Sequence, residues 1–254
     1  MRTFLYFISG LFLLGTTQLT NAQATSDSET ATDSIVYKQK YGIRLGADMS
    51  KLVRSFIDDD YSGFEIMGDY RLTNRWYLAG ELGTEERTLD TDAVITTTKG
   101  SYFKAGVDYN LYTNWLDMEN MIYAGFRIGA SSFSQTLDSF DVYDVNNEYW
   151  DIQASGVGQT DDGLTALWGE ILLGIKAEVL PNLFMGLNLQ VKARISDDEP
   201  SGYENLYIPG FNRTYDSGII GAGFGYNLSY LIPIYKKDMV VKKTEDEIET
   251  EAEN

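Results

Sequence analysis

Between positions 183 and 194 apolar side chains fill every odd position, and small or polar ones fill every even position except Phe184. Successive side chains of a strand point to opposite faces, so this segment predicts a strand with one greasy face and one wet face. Seven further segments repeat the pattern: residues 41–50, 64–72, 76–83, 102–111, 122–131, 167–179 and 220–232. Each approaches or reaches the ~9–11 residues that a tilted transmembrane strand needs. The predicted fold class is all-β, an eight-stranded antiparallel up-and-down transmembrane barrel.

Alternation alone fits a soluble, lipocalin-like barrel as well, with the greasy face turned inward. Three features favour the membrane. The apolar face carries almost no charge, as lipid requires, because Arg or Lys there costs about 2–4 kcal/mol at the midplane. The polar face mixes glycines with acids (Asp48, Glu65, Asp69, Glu81, Asp108, Glu170, Glu178) and bases (Arg44, Arg71, Lys104, Arg127, Lys176, Lys192, Arg194). Seven meet seven, which suits a narrow lumen where each buried charge needs a partner. Connections also alternate, being short at 73–74, 112–119 and 180–182 and long around Phe56, Leu89, Val142 and Leu206. Short inner turns with long outer loops are the outer-membrane habit. Tyr41, Tyr70, Trp76, Tyr109, Tyr112, Trp115 and Tyr230 fall near the short turns, where an interfacial aromatic girdle is expected.

The ends set the compartment. Arg2, an apolar run over 4–14 and Ala22-Gln23-Ala24 read as a signal peptide over residues 1–24, too short to span a bilayer as a helix. Residues 25–38 read as a flexible periplasmic leader, 39–235 as the barrel and 236–254 as an acidic, disordered periplasmic tail. A net charge of −18 argues against a nucleic-acid partner.

The chain has no histidine and no cysteine. The usual base of a nucleophilic hydrolase and the usual zinc ligands are therefore missing. Carboxylates remain: Glu170 and Glu178 share the predicted lumen with Asp69 and Glu81, but the balancing bases point to ion pairing rather than catalysis. The acid clusters 58–60 and 197–199 supply only part of the six to eight oxygens that calcium takes, so they read as cation sites or as solvated loop tips. Neither a catalytic residue nor a cofactor is expected. The longest predicted loop, 132–163, carries Phe133, Phe140, Tyr143, Tyr149 and Trp150, which read either as a partner-binding surface or as a loop folded over the barrel mouth.

The stretches Tyr41-Gly-Ile-Arg-Leu-Gly-Ala-Asp-Met-Ser-Lys-Leu, Asp60-Tyr-Ser-Gly-Phe-Glu-Ile, Met118-Glu-Asn-Met-Ile-Tyr-Ala-Gly-Phe-Arg and Glu204-Asn-Leu-Tyr-Ile-Pro-Gly-Phe-Asn-Arg-Thr-Tyr-Asp-Ser-Gly resemble a flavobacterial family of uncharacterised outer-membrane barrels. The likeness runs from about residue 41 to 235. It implies the barrel and the compartment and brings no catalytic or binding residue with it. The expected role is structural or interactive: a filled barrel in outer-membrane lipid, with envelope proteins as partners through the outer loops or the tail. A narrow solute or ion channel is the alternative.

Overall fold

A computed structural model describes residues 34–91, 94–112, 119–140, 158–201, 203–214 and 218–242. The predicted signal peptide, most of the leader, the end of the tail, and Trp115, Tyr143, Tyr149 and Trp150 lie outside them. The elements run β1 (Ser34–Asp48), α1 (Met49–Ile57), β2 (Tyr61–Arg71), β3 (Trp76–Asp90), β4 (Val94–Asn110), β5 (Met121–Phe140), β6 (Thr160–Leu180), β7 (Leu183–Asp197), β8 (Tyr207–Ile208), β9 (Asn212–Arg213) and β10 (Ile220–Lys242).

Eight strands close into an antiparallel barrel in the order β1-β10-β7-β6-β5-β4-β3-β2, while β8 and β9 form a separate two-stranded ribbon. Each barrel strand lies beside its sequence neighbours, and β10 returns to β1. The barrel's compact unit spans Tyr37–Met239.

The pleat sorts the side chains as the alternation requires. On β6, Leu167, Ile171, Leu173 and Ile175 point outward and exposed, whereas Trp168, Glu170, Leu172 and Lys176 are buried inside. The same inversion holds round the wall: Leu45, Ile66, Leu78, Phe103, Phe126, Leu189 and Phe224 are exposed, and Arg44, Glu65, Glu81, Lys104, Asp108 and Arg127 are buried. A lipocalin-like barrel has the reverse arrangement, so the greasy-inside alternative does not describe this molecule.

Several strands outrun their predictions. The stretch around Leu89, expected to be a long loop, is the end of a hairpin: β3 and β4 stay paired from Trp76↔Tyr109 to Asp90↔Ile95. Thr88, Thr96, Thr97 and Thr98 continue the strands without greasy alternation, since β-branched residues favour a strand whether or not one face is apolar. The first long connection holds a nine-residue helix, α1, capped at its start by Asp48, whose carboxylate accepts from the Ser50 N–H at 2.8 Å. At the opposite rim Pro181-Asn182 turns β6 into β7, with Asn182 at φ 67, a left-handed position asparagine tolerates. β1 begins and β10 ends outside the predicted barrel limits of 39 and 235, since Ile35, Val36, Val240 and Val241 are strong strand formers.

Of the predicted girdle, Trp76 and Tyr230 are exposed, and Trp76 packs edge-on against Tyr109 at 4.9 Å. Tyr41 departs from it. Its ring is buried, stacked on Tyr235 at 5.1 Å with the Arg71 guanidinium 4.9 Å away, and its hydroxyl donates to Asn74.

Candidate functional site

Inward pleats from β1 to β7 place charged groups of both signs within reach of each other. In the strand register Glu81 faces Lys104, Arg127 faces Glu170, and Glu170 faces Lys192. The side chains join these pairs into one alternating line. Lys104 pairs with Glu81 at 2.7 Å and Glu65 at 3.5 Å. Arg127 pairs with Glu81 at 3.2 Å and Asp108 at 2.7 Å. Lys176 lies 3.8 Å from Asp108 and 2.7 Å from Asp69, which Arg44 contacts at 2.8 Å. Glu170 lies 3.9 Å from both Lys104 and Lys192. Burying charges this deeply is tolerable only because nearly every one meets its opposite.

Ten of the fourteen predicted lumen residues join this line. The other four lie at its margins. Arg71 pairs with Glu119 at 3.0 Å near the short-turn rim, and Glu178 lies 3.6 Å from Lys40. Arg194 pairs with Asp197 on its own strand at 2.9 Å. Asp48 is spent on the helix cap rather than on an ion pair. Space for the larger groups comes from glycines. Any Cβ at Gly129 would stand 2.2 Å from the Trp168 ring, so only glycine lets that indole lie across β5.

At the long-loop end the fourth connection, which the sequence predicts as an outer loop, folds back onto the lumen side chains. Ile208-Pro209-Gly210-Phe211 forms a tight turn: the Phe211 N–H donates to the Ile208 carbonyl at 3.0 Å, and Gly210 sits at φ 81. Proline then glycine at the two central positions is the type II pattern. Tyr207, Ile208 and Phe211 are buried, with Phe211 edge-on to Trp168 at 6.0 Å. Lumen charges grip the turn from both sides. The Gly210 N–H and the Tyr207 hydroxyl donate to Glu85 at 2.9 and 2.7 Å, and Lys192 Nζ donates to the Gly210 carbonyl at 2.7 Å. This turn is a plug.

Glu85, which holds the turn, and Lys51, which pairs with Glu85, were not among the predicted residues. Lys51 descends from α1 to Glu85, Tyr102 and Glu65, extending the charge line to the mouth. Their signals were present. Glu85 keeps the parity of Glu81, and Lys51 lies on the helix face opposite the apolar stripe of Met49, Leu52, Val53, Phe56 and Ile57. Phe133, expected on a long loop that either binds a partner or folds over the barrel mouth, is on β5 and buried with Tyr102, Leu164, Trp168, Ile208 and Phe211. Strand pairing continues past residue 132, and the inward pleat carries that ring under the plug. Phe140 closes β5.

The acid clusters serve local structure. Asp58 pairs with Arg54 at 3.2 Å and with Arg87. Partial burial works to raise the Asp58 carboxyl, but the two guanidiniums outweigh it and hold the group below the usual carboxylate range. Asp197 accepts from Arg194 and Asn205, and Asp198 from Thr165. Among the described residues no group of three or more metal-ligating side chains gathers.

The family profile described as a domain of unknown function (DUF6048) matches residues 3–237. No curated protein matches the sequence. Among solved structures, Neisserial surface protein A is similar over 78% of this chain and 97% of its own, at 12% identity and a TM-score of 0.41. Ail, the attachment invasion locus protein of Yersinia pestis, is similar over 76% and 97%, at 10% identity and a TM-score of 0.38.

Proposed function

The chain belongs to this family of unknown function, and from that premise we propose that it is a non-enzymatic outer-membrane barrel whose closed lumen leaves it a structural or protein-interaction role. One observation carries the reading: a continuous line of buried ion pairs fills the interior beneath a gripped plug, while the outside is a band of Leu, Ile, Val and Phe. Such an exterior is costly in water and suits hydrocarbon. An eight-stranded interior is only wide enough for its side chains. Export is attributed to the segment 1–24, and the flavobacterial source to the motifs quoted above. The partners are outer-membrane lipid and other envelope proteins, met at the rims.

Planar-bilayer recording of the refolded chain tests the closed lumen. The proposal expects a silent bilayer after confirmed insertion. Steady conductance would instead favour the narrow-channel reading.

A further inference from the structure

At the short-turn rim, β1 and β10 outrun the strands beside them. The last registered pair of β2 with β1 is Ile43↔Tyr70, and that of β7 with β10 is Tyr230↔Leu183, yet β1 starts at Ser34 and β10 ends at Lys242. Within the barrel unit, residues 37–41 and 232–239 therefore form a ribbon below the wall. The stacked Tyr41 and Tyr235 rings hold its root, and the Ile232 carbonyl lies hard against Gly42.

Backbone groups alternate sides along a strand, so the edge chemistry follows from two contacts. The Leu231 N–H donates to the Asn182 carbonyl on the β7 side, while the Ile232 carbonyl faces β1. Odd positions of β10 hence address the β7 side. Beyond Leu231 no strand among the described residues stands there. Pro233 offers only a carbonyl, but Tyr235, Lys237 and Met239 each offer an N–H and a C=O. The matching edge of β1 is already taken at Lys40, whose N–H donates to Glu119 and whose carbonyl accepts from Arg71.

Charge says what fits. Lys236 and Lys237 are exposed on this ribbon and outnumber the one acid of the edge, Asp238, in a chain of net charge −18, while Lys40 is already spent on Glu178. Lysines and Pro233 on an edge deter pairing between copies, because like charges would face each other. They attract a strand of opposite sign. We propose that the β10 edge from Tyr235 to Met239 receives an extended acidic segment of another envelope protein as an added strand. Main-chain hydrogen bonds would supply the affinity and the lysines the selectivity. The periplasmic setting rests on the outer-membrane reading; the edge itself does not.

The test uses the full chain refolded in detergent micelles and a synthetic ten-residue peptide alternating Val and Glu, with a Val/Lys version as control. The Val/Glu peptide should bind and slow amide exchange at Tyr235, Lys237 and Met239. Lys237→Pro, which removes one edge N–H, should weaken binding about tenfold or more. The pair Lys236→Gln and Lys237→Gln, which leaves the backbone intact, should weaken it and flatten its salt dependence. No binding by the Val/Glu peptide, equal binding by the Val/Lys peptide, or amides already protected without peptide would each overturn the proposal. Solubility without detergent would sink the membrane reading alone, because the exchange result stays readable either way.

Discussion

Leu173 is where the two faces of the wall can be told apart energetically. Its side chain is 59% exposed on β6, in mid-course of an outward run from Leu167 to Val179. Twelve steps at about 3.4 Å, tilted by about 40°, give that run a height of about 30 Å, close to a hydrocarbon core. Leu173 therefore sits near the midplane, and Leu173→Arg is expected to cost about 2–4 kcal/mol in a bilayer. The same change at Val179, close to the rim, should cost about 0–1 kcal/mol. On a water-facing surface both would stay within about 0.5 kcal/mol of zero. Denaturant unfolding of the refolded chain in lipid vesicles, followed by tryptophan fluorescence, reads the difference. Equal and negligible costs at the two depths would refute the reasoning.

Lys104→Met removes a cation shared by Glu81, Glu65 and Glu170 and should destabilise the barrel by about 3–5 kcal/mol, with part of the loss recovered when Glu81→Leu is added, since Arg127 keeps Asp108; denaturant midpoints check both. Gly210→Ala places a Cβ 2.5 Å from the Tyr102 ring at φ 81, about 1–2 kcal/mol of backbone cost before the clash, so chymotrypsin should cut at Tyr207 sooner than in the unaltered chain. The depressed Asp58 carboxyl contributes stability that is present above its ordinary range of about pH 4 and lost as pH falls through the lowered folded value. Asp58→Asn should thus lower the melting temperature at pH 7 and have progressively less effect on acidification, by less than about 1 kcal/mol in all for a surface pair.

The wall was legible in the sequence because an apolar outer face and a charged inner face together impose a two-residue period. Arg127, for instance, could be placed inward from its neighbours Phe126 and Ile128 alone. What escaped notice lacks that period. The threonine ladder of β3 and β4 shows no greasy alternation. The plug's apolar residues Leu206, Tyr207, Ile208 and Phe211 follow no two-residue period, and its one local signal, Pro209-Gly210, marks a turn without saying what it turns into. Phe133 lies just past the last clear alternation, where strand pairing continues. Helix α1 is inverted as the wall is: Lys51 and Ser55 bond inward to the barrel, while Phe56 is left 87% exposed. Its amphipathic stripe therefore points away from the core that such a stripe usually marks.

Paired spin labels on β6 put the orientation to its most direct trial. Introduced singly by Leu173→Cys and Leu172→Cys in a chain that has no native cysteine, they report on adjacent side chains of opposite face. In vesicles, the label at position 173 should collide freely with dissolved oxygen and hardly at all with a water-soluble nickel reagent. The label at position 172 should be immobilised. A label at position 173 open to nickel, with no period-two pattern between the sites, would contradict a barrel that turns its hydrocarbon outward and its charges in.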